Sequence, residues 1–219
     1  MTLAERVKRK ALDLGFQAAG VSRVTSDRPE SARLAEWLAR NYHGEMSWMA
    51  QTAAKRKNPP LLLPGIRAIV SLGMNYYTDD RPDDAPGHGR IARYARGKDY
   101  HRVLGERLES LAAFLKTEAP DSRSLAYVDT GAVMEKAWAQ RAGLGWIGKH
   151  SNLVSGQHGS WLLLGEVLTT ADLSPDEPGA DLCGTCTLCI KTCPTGAITE
   201  PYVVDARRCL SYLTIEQKG

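Results

Sequence analysis

Segments with helical periodicity alternate with short apolar runs over the first 170 residues. Thr2 and Glu5 form a capping-box pair, so a helix is predicted to begin there and to end at Gly15. Residues 102–118 are predicted to form a longer helix because leucine recurs on one face, at Leu104, Leu108, Leu111 and Leu115. Buried strands are predicted for the runs QAAGVSRV, RAIVSLGMNYY, SLAYVD, SNLVS and SWLLLGEVLTT. This alternation indicates an α/β (α+β) domain over residues 1–170.

Three further segments have helical periodicity: ESARLAEWLARNYH, GEMSWMAQTAAKRK and AVMEKAWAQRAGL. The polar run TDDRPDDAPGHG, rich in proline and glycine, is expected to be a mobile loop. The composition of ADLSPDEPGAD predicts a linker. We therefore expect a second unit over residues 171–219, which contains all the cysteines.

Composition excludes some classes of protein. No apolar run is long enough to cross a membrane, and the polar amphipathic N-terminus lacks the apolar core of a secretory signal, so we expect a soluble, cytoplasmic protein. The net charge of +3 does not by itself indicate a nucleic-acid partner. Residues 90–102 combine five basic side chains with Tyr94, Tyr100 and His101, which suits a phosphate backbone with stacked bases. A solvated basic surface explains the same residues, and charge alone slightly favours it.

The cysteines give the strongest chemical signal. Four of them have the spacing C-x2-C-x2-C-x3-C-P, which is typical of bacterial-type ferredoxins with [4Fe–4S] clusters: Cys183, Cys186, Cys189 and Cys193. Structural zinc prefers two separated C-x2-C pairs and fits this run poorly. In the two-cluster arrangement the first three cysteines bind one cluster and Cys193 binds the other, with Cys209 as a further ligand. Alternatively, Cys209 completes a single four-cysteine site and Cys193 is spare.

The chain resembles the epoxyqueuosine reductases over essentially its whole length. The resemblance rests on HGEMSWMA, LLPGIRAIVSLGMNYY, IARYARGKDYH, YVDTGAVMEKAWAQRAGLGWIGKHSNL, GSWLLLGEVLTT, the cysteine run and RCLSYLTIEQKG. It implies a core that binds base-off cobalamin and is related to reductive dehalogenases, followed by a bacterial ferredoxin-like module with two [4Fe–4S] clusters. It also implies that the second cysteine run of the family lies beyond the end of this chain, so that the cluster ligands are incomplete and the chain is truncated.

The resemblance implies a reaction and its partners. Such enzymes reduce the epoxide of epoxyqueuosine to queuosine at the wobble position of GUN-type tRNA anticodons, with electrons from an external low-potential donor. We expect a monomer. Tyr94 and Tyr100 are weak candidates for stacking on anticodon bases. Two other functions are alternatives to this one: a ferredoxin-type electron carrier without catalysis, and a corrinoid reductase that acts on a small molecule.

One residue is the candidate acid. Opening an epoxide requires a proton donor, and Asp129 follows a predicted strand at its carboxyl end, where ligands collect in α/β folds. An N-cap for the next helix is the competing role. The resemblance favours catalysis, since the family places its proton-donating aspartate in this VDTG motif.

The resemblance also suggests contacts with the corrin. The loop after GLGWIG, whose glycines permit a flat ligand to approach closely, provides four tentative contacts: Ser151, Asn152, Leu153 and Val154. Turn geometry and core packing explain these four residues equally well. Arg56 matches a position near the cofactor, and a tRNA phosphate or solvent is its alternative partner.

Overall fold

The computed structural model describes residues 1–26, 28–80 and 85–218; four residues of the expected mobile loop, 81–84, lie outside that part. The helices are α1 Leu3–Asp13, α2 Pro29–Ala39, α3 Ser47–Gln51, α4 Ala53–Lys57, α5 Tyr100–Glu118, α6 Glu135–Arg141, α7 Leu188–Thr192 and α8 Leu210–Ile215. The strands are β1 Ala18–Arg23, β2 Ala68–Asn75, β3 Ser124–Tyr127, β4 Trp146–Ile147, β5 Leu153–Val154, β6 Leu162–Thr169, β7 Ile198–Glu200 and β8 Val203–Val204.

The central sheet has four strands in the order β1-β2-β6-β3, and every neighbouring pair is antiparallel. The predicted mixture of helices and strands is therefore confirmed. The sheet has no common carboxyl edge, because alternate strands run in opposite directions. The argument that placed Asp129 at a ligand-collecting edge of a parallel sheet is thus wrong, although Asp129 does follow β3.

Helices cover both faces of the sheet. On one face α1 and α5 pack against β2 and β6, and the four predicted leucines of α5 are fully buried there. On the other face Trp138 of α6 packs against Ile69 of β2 and Leu168 of β6. Leucines repeated at helical spacing therefore mark the face of α5 that contributes to the main core.

Residues 171–181, which composition suggests are a linker, pack against the first domain. The side chain of Leu173 is buried in the main core, and the carboxylate of Asp176 accepts a hydrogen bond from the Val21 amide at 2.8 Å. A Cβ on Gly179 would lie 1.9 Å from the Gly145 carbonyl oxygen. A Cβ on Gly145 would in turn lie 2.1 Å from the Val154 carbonyl oxygen. Gly145 therefore permits close approach of the chain to itself, not of a flat ligand as we expected.

The cysteine-containing unit consists of α7, the β7–β8 hairpin and α8, and it contacts the first domain directly. The indole Nε1 of Trp37 donates to the Val204 carbonyl at 2.7 Å, and the Glu45 amide donates to the Tyr212 hydroxyl at 2.8 Å. The Tyr202 amide donates to the Lys149 carbonyl at 2.9 Å. Within the described residues, no helix has both the length and the apolar character required to cross a membrane.

Candidate functional site

Asp129 lies at the centre of a tight turn between β3 and α6. Its φ is 55°, in the left-handed region, and the Thr130 amide donates to the Val128 carbonyl at 2.5 Å across it. A three-residue turn with positive φ is rare and strained. For a residue other than glycine this backbone conformation costs about 1–2 kcal/mol. Strained residues of this kind cluster at functional sites, so the turn itself draws attention to Asp129.

The Asp129 side chain is 61% exposed and faces the beginning of α5. The phenol of Tyr100 donates a hydrogen bond to its Oδ2 at 2.6 Å. His101 Nε2 lies 3.5 Å from the same oxygen, and its ring is stacked on Tyr100 with centroids 4.0 Å apart. Burial, with the hydrogen bond to Asp129, raises the pKa of Tyr100, so the phenol stays protonated and remains a donor. One oxygen of Asp129 therefore accepts from Tyr100, and the side chain as a whole remains largely exposed.

Two charged residues support the turn from behind. Glu135, the first residue of α6, accepts a hydrogen bond from the Asp129 amide through Oε1 at 2.7 Å. Arg56 Nη1 donates to the Val133 carbonyl at 2.8 Å, and its Nε donates to Thr52 Oγ1 at 3.0 Å. Burial lowers the pKa of Arg56, and the carboxylates of Glu135 and Asp129 partly offset that effect. Arg56 is thus a buried support for the loop that contains Asp129.

The same loop faces the cysteine-containing unit. Lys136 is exposed, yet surrounding protein desolvates its ammonium group and lowers its pKa. The charges of Glu135, Asp129 and Cys209 act on that pKa in the opposite direction. Lys136 therefore lies near both Asp129 and Cys209, and it brings the loop that contains Asp129 close to the cysteine-containing unit.

A cavity of about 700 Å³ opens between the two units. Its walls are largely apolar, from Trp37, Met46, Met49, Met134, Tyr202, Val203, Val204 and Ile215. Ser151 and Cys209 also border it. Six charged residues also line it: Glu30, Arg33, Glu36, Arg40, Glu200 and Glu216. This combination suits a large ligand with an apolar face and polar edge groups.

The four candidate corrin contacts after GLGWIG are placed differently from one another. Ser151 borders the cavity with φ 64°, and its hydroxyl donates to the Tyr202 carbonyl at 2.8 Å. Leu153 is buried, and its side chain packs with Ala139 and Leu144. Asn152 lies in the turn between β4 and β5, and Val154 lies in β5, where it pairs with Trp146 of β4. Ser151 is therefore the member of this group that the structure brings to the cavity, and Leu153 offers a ligand only its backbone.

Cys183 and Cys186 lie on a loop that is wrapped around Lys149, and Cys189 follows in α7. The buried Lys149 ammonium group donates to the carbonyls of Gly184 at 2.6 Å and of Cys186 at 2.8 Å. Its backbone amide lies 3.4 Å from Cys183 Sγ. This amide and the positive charge suit a negatively charged iron–sulfur cluster, whose potential depends on such hydrogen bonds to sulfur.

Cys193 and Cys209 lie on the elements that follow. Backbone amides, first that of Ile198, lower the pKa of the Cys193 thiol to about 7, which favours the thiolate that a cluster requires. Cys209 precedes α8 and borders the cavity. All five cysteines are free thiols. Among the described residues no three Cys, His, Asp or Glu side chains converge as ligands of a single metal ion.

The basic and aromatic stretch is arranged around a second, smaller cleft. The Arg93 guanidinium lies 4.9 Å from the ring centroid of Tyr77 and 5.2 Å from that of Trp161. Tyr94 and Tyr100 border the same cleft. Tyr100 donates its hydroxyl to Asp129, so sequence reasoning missed its contact with the candidate acid. It also missed Glu135 and Lys149, whose partners are visible only in three dimensions.

Comparison with known proteins now decides the family. Residues 56–130 match the family model "Epoxyqueuosine reductase QueG, DUF1730", and residues 182–219 match "4Fe-4S double cluster binding domain". The chain is 48% identical to the epoxyqueuosine reductase of Gloeobacter violaceus over 217 residues, which is 99% of this chain and 67% of that protein. The chain belongs to the epoxyqueuosine reductase family. This membership confirms the resemblance found in the sequence.

Solved structures of the family have the same fold. An epoxyqueuosine reductase with an epoxyqueuosine-modified tRNA-Tyr stem loop matches with a TM-score of 0.85 and 34% identity, over 97% of this chain and 57% of that one. The enzyme from Bacillus subtilis, with its catalytic aspartate loop swung out of the active site, matches with a TM-score of 0.87, 33% identity and the same coverages. The chain thus spans less than two thirds of these solved chains.

A reductive dehalogenase shares the fold more distantly. Its TM-score is 0.50 at 20% identity, over 85% of this chain and 22% of that one. The expected relation of the core to reductive dehalogenases is therefore seen at the level of the fold.

Proposed function

We propose that this chain reduces the epoxide of epoxyqueuosine to queuosine at the wobble position of tRNA, with Asp129 as the proton donor. The observation that supports this most directly is the turn at Asp129. It is strained, and it presents an exposed carboxyl group in a member of the epoxyqueuosine reductase family. Met134, at the end of the same loop, lines the large cavity. The reaction consumes two electrons and two protons and releases water, so it needs an acid near the epoxide oxygen.

The chain's own groups perform positioning and protonation. Tyr100 donates to Oδ2 of Asp129, which leaves Oδ1 to hold the proton that passes to the departing oxygen. Glu135 and Arg56 hold the backbone of the turn from the opposite side. The apolar walls of the cavity exclude water from the reacting atoms.

Cobalamin fits the large cavity by shape and by chemistry. The apolar walls suit a corrin face, and the arginines that border the cavity suit its amide side chains and nucleotide tail. Base-off cobalamin is the form that we propose for this cavity. When bound, the cobalt supplies the reducing electrons. Ser151 is the best-placed contact, and we retain Arg56, Asp129, Asn152, Leu153 and Val154 as further candidates.

The cysteines suit two [4Fe–4S] clusters in the ferredoxin arrangement. Cys183, Cys186 and Cys189 would bind one cluster, while Cys193 and Cys209 would bind another. The match to a double-cluster domain supports this assignment. Since Cys209 borders the cavity, it would hold a cluster beside the cavity that we assign to cobalamin, and that cluster would supply electrons there. An external low-potential donor would supply the electrons, and the cytoplasm is the compartment where a tRNA-modifying enzyme meets its substrate.

The tRNA anticodon would lie along the aromatic and basic cleft. The cation–π contacts of Arg93 order two rings there, and Arg96 and Lys98 line the same cleft. A corrinoid reductase acting on a small molecule would not need these positive charges. A salt series of stem-loop binding separates the two hypotheses, because phosphate contacts give a steep loss of affinity with salt.

Asp129→Ala tests the proposal. We expect the variant, reconstituted with iron, sulfide and cobalamin, to bind the modified stem loop and both cofactors and to lose turnover by at least about 10²-fold, the usual scale of general acid catalysis. Asp121→Ala, which removes an exposed carboxylate before β3, is the matched control. Turnover retained by Asp129→Ala would remove this residue from the mechanism. Failure of the unsubstituted chain to take up corrinoid would favour an electron carrier instead.

A further inference from the structure

Two neighbouring carboxyl groups lie behind the Asp129 turn, that of Glu166 fully buried and that of Glu135 half-buried. Glu166, in the middle of β6, is completely buried, and neither of its carboxyl oxygens has a hydrogen-bond partner among the described residues. Ser71 lies directly opposite on β2 and is equally buried. The neighbouring carboxyl group is that of Glu135, and it raises the pKa of Glu166. Buried carboxyl groups are costly, so their retention at this position calls for a role.

The contact of Glu135 with the turn is specific. Its Oε1 accepts the Asp129 amide at 2.7 Å, and Asp129 is the residue with φ 55°. The adjacent amide, of Thr130, is used within the turn itself. Glu135 therefore accepts the hydrogen bond from the backbone amide of the residue with positive φ. Tyr100 donates a hydrogen bond to the side chain of the same residue.

The surroundings of the two carboxyl groups also affect their pKa values. Burial, together with the neighbouring Glu135 carboxyl, raises the pKa of Glu166 well above its ordinary value and so favours its neutral form. Burial also raises the pKa of Glu135, whereas the hydrogen bond from the Asp129 amide lowers it. A neutral Glu166 relieves the repulsion that a second carboxylate would exert, and Glu135 remains an acceptor.

We propose that Glu135, backed by Glu166, is a positioning residue that holds the Asp129 turn in the conformation that presents its carboxyl group to the substrate. The inference rests on the proposed function, since it assigns a role to the support of the candidate acid. A structure of the Bacillus subtilis relative has its catalytic aspartate loop swung out of the active site. In this chain the Glu135 contact would stabilise the turn in the conformation described here.

The test compares Glu135→Ala with Glu135→Gln in the reconstituted protein. Glutamine keeps an oxygen that can accept the Asp129 amide, and alanine does not. One hydrogen bond to a charged acceptor corresponds to about a tenfold change or more in a local equilibrium. We therefore expect Glu135→Ala to lower kcat by about tenfold or more, with stem-loop affinity and cofactor content unchanged, and Glu135→Gln to restore most of the rate.

Amide hydrogen exchange provides a readout that does not depend on turnover. Residues 128–134 should exchange about tenfold faster or more in Glu135→Ala, and near the original rate in Glu135→Gln. Asp121→Ala should change neither quantity. Equal exchange in all variants would overturn the inference even if the chain reduces epoxyqueuosine. Faster exchange in Glu135→Ala, together with an unsubstituted chain that shows no reductase activity, would instead uphold the support of the turn and reject the proposed function.

Discussion

Lys149 is expected to hold the loop of the first cluster against the first domain through hydrogen bonds. Lys149→Met removes these hydrogen bonds. The ammonium group is buried and donates to two carbonyl oxygens, those of Gly184 at 2.6 Å and Cys186 at 2.8 Å. Methionine has a similar length and an apolar character, so it fills the space and lacks the donors. The substitution therefore isolates the hydrogen bonds and the charge from packing.

The magnitude follows from the two contacts. A hydrogen bond to a charged group stabilises by about 1.5–3 kcal/mol, and water can partly replace the lost donors at the open side of this loop. The lower value for each bond gives about 3 kcal/mol for both, which corresponds to about a hundredfold increase in the open population of the loop. Residues 183–189 should therefore exchange their amide hydrogens about a hundredfold faster than in the unsubstituted protein.

Hydrogen exchange of the metal-free chain is the primary assay, because it reports the loop without requiring a cluster. Lys149→Arg retains the charge and several donors and should show a smaller effect. Lys191→Met, an exposed lysine on α7, is the matched control and should show none. Exchange of residues 183–189 that changes by less than about threefold in Lys149→Met would refute the reasoning. In the reconstituted protein, loss of the positive charge should also lower the reduction potential of the cluster bound there.

Two further predictions concern the groups around Asp129. Tyr100→Phe deletes the phenol that donates to Asp129 Oδ2, so kcat should fall by about tenfold with unchanged stem-loop affinity, measured by single-turnover kinetics; an unaltered rate would contradict the assignment. For Glu166, the pKa in the folded state is raised above the ordinary value of 4.5, so the folded state binds the proton more tightly than the unfolded state does. The free energy of unfolding should therefore fall as the pH rises from about 4.5 towards the raised pKa, and Glu166→Gln should flatten this dependence in denaturant titrations at several pH values; parallel profiles would contradict it.

The sequence predicts the elements of this fold better than their arrangement. The leucines of α5 repeat at helical spacing, and all four are buried as that spacing requires. Strand direction has no comparable local signal, because a buried strand has the same composition in parallel and antiparallel sheets. The antiparallel pairing of β6 with β2 and β3 was therefore not foreseen, and the strand-edge argument for Asp129 failed with it.

The contacts within the site were hidden for a different reason. Tyr100 and Asp129 are 29 residues apart, and Lys149 and Cys183 are 34 residues apart. Neither pair has a spacing that local geometry can interpret. The cysteine run was identifiable because its ligands lie within a few residues of one another, so spacing alone indicates which sulfurs can share a cluster.

The position of Glu166 shows that one contact behind the site could be predicted in part from the sequence. It interrupts the apolar run SWLLLGEVLTT, and its neighbours Leu164 and Leu168, two residues away on either side, lie on the same face of the strand. Leu168 packs in the core beneath α6, so the alternation of a strand places Glu166 under α6 as well. A charged side chain in an inward position is destabilising unless it is neutral or paired. The neighbouring side chain is that of Glu135, which accepts a hydrogen bond from the Asp129 amide. The buried acid in this apolar strand is therefore connected, through Glu135, to the turn that presents the candidate proton donor.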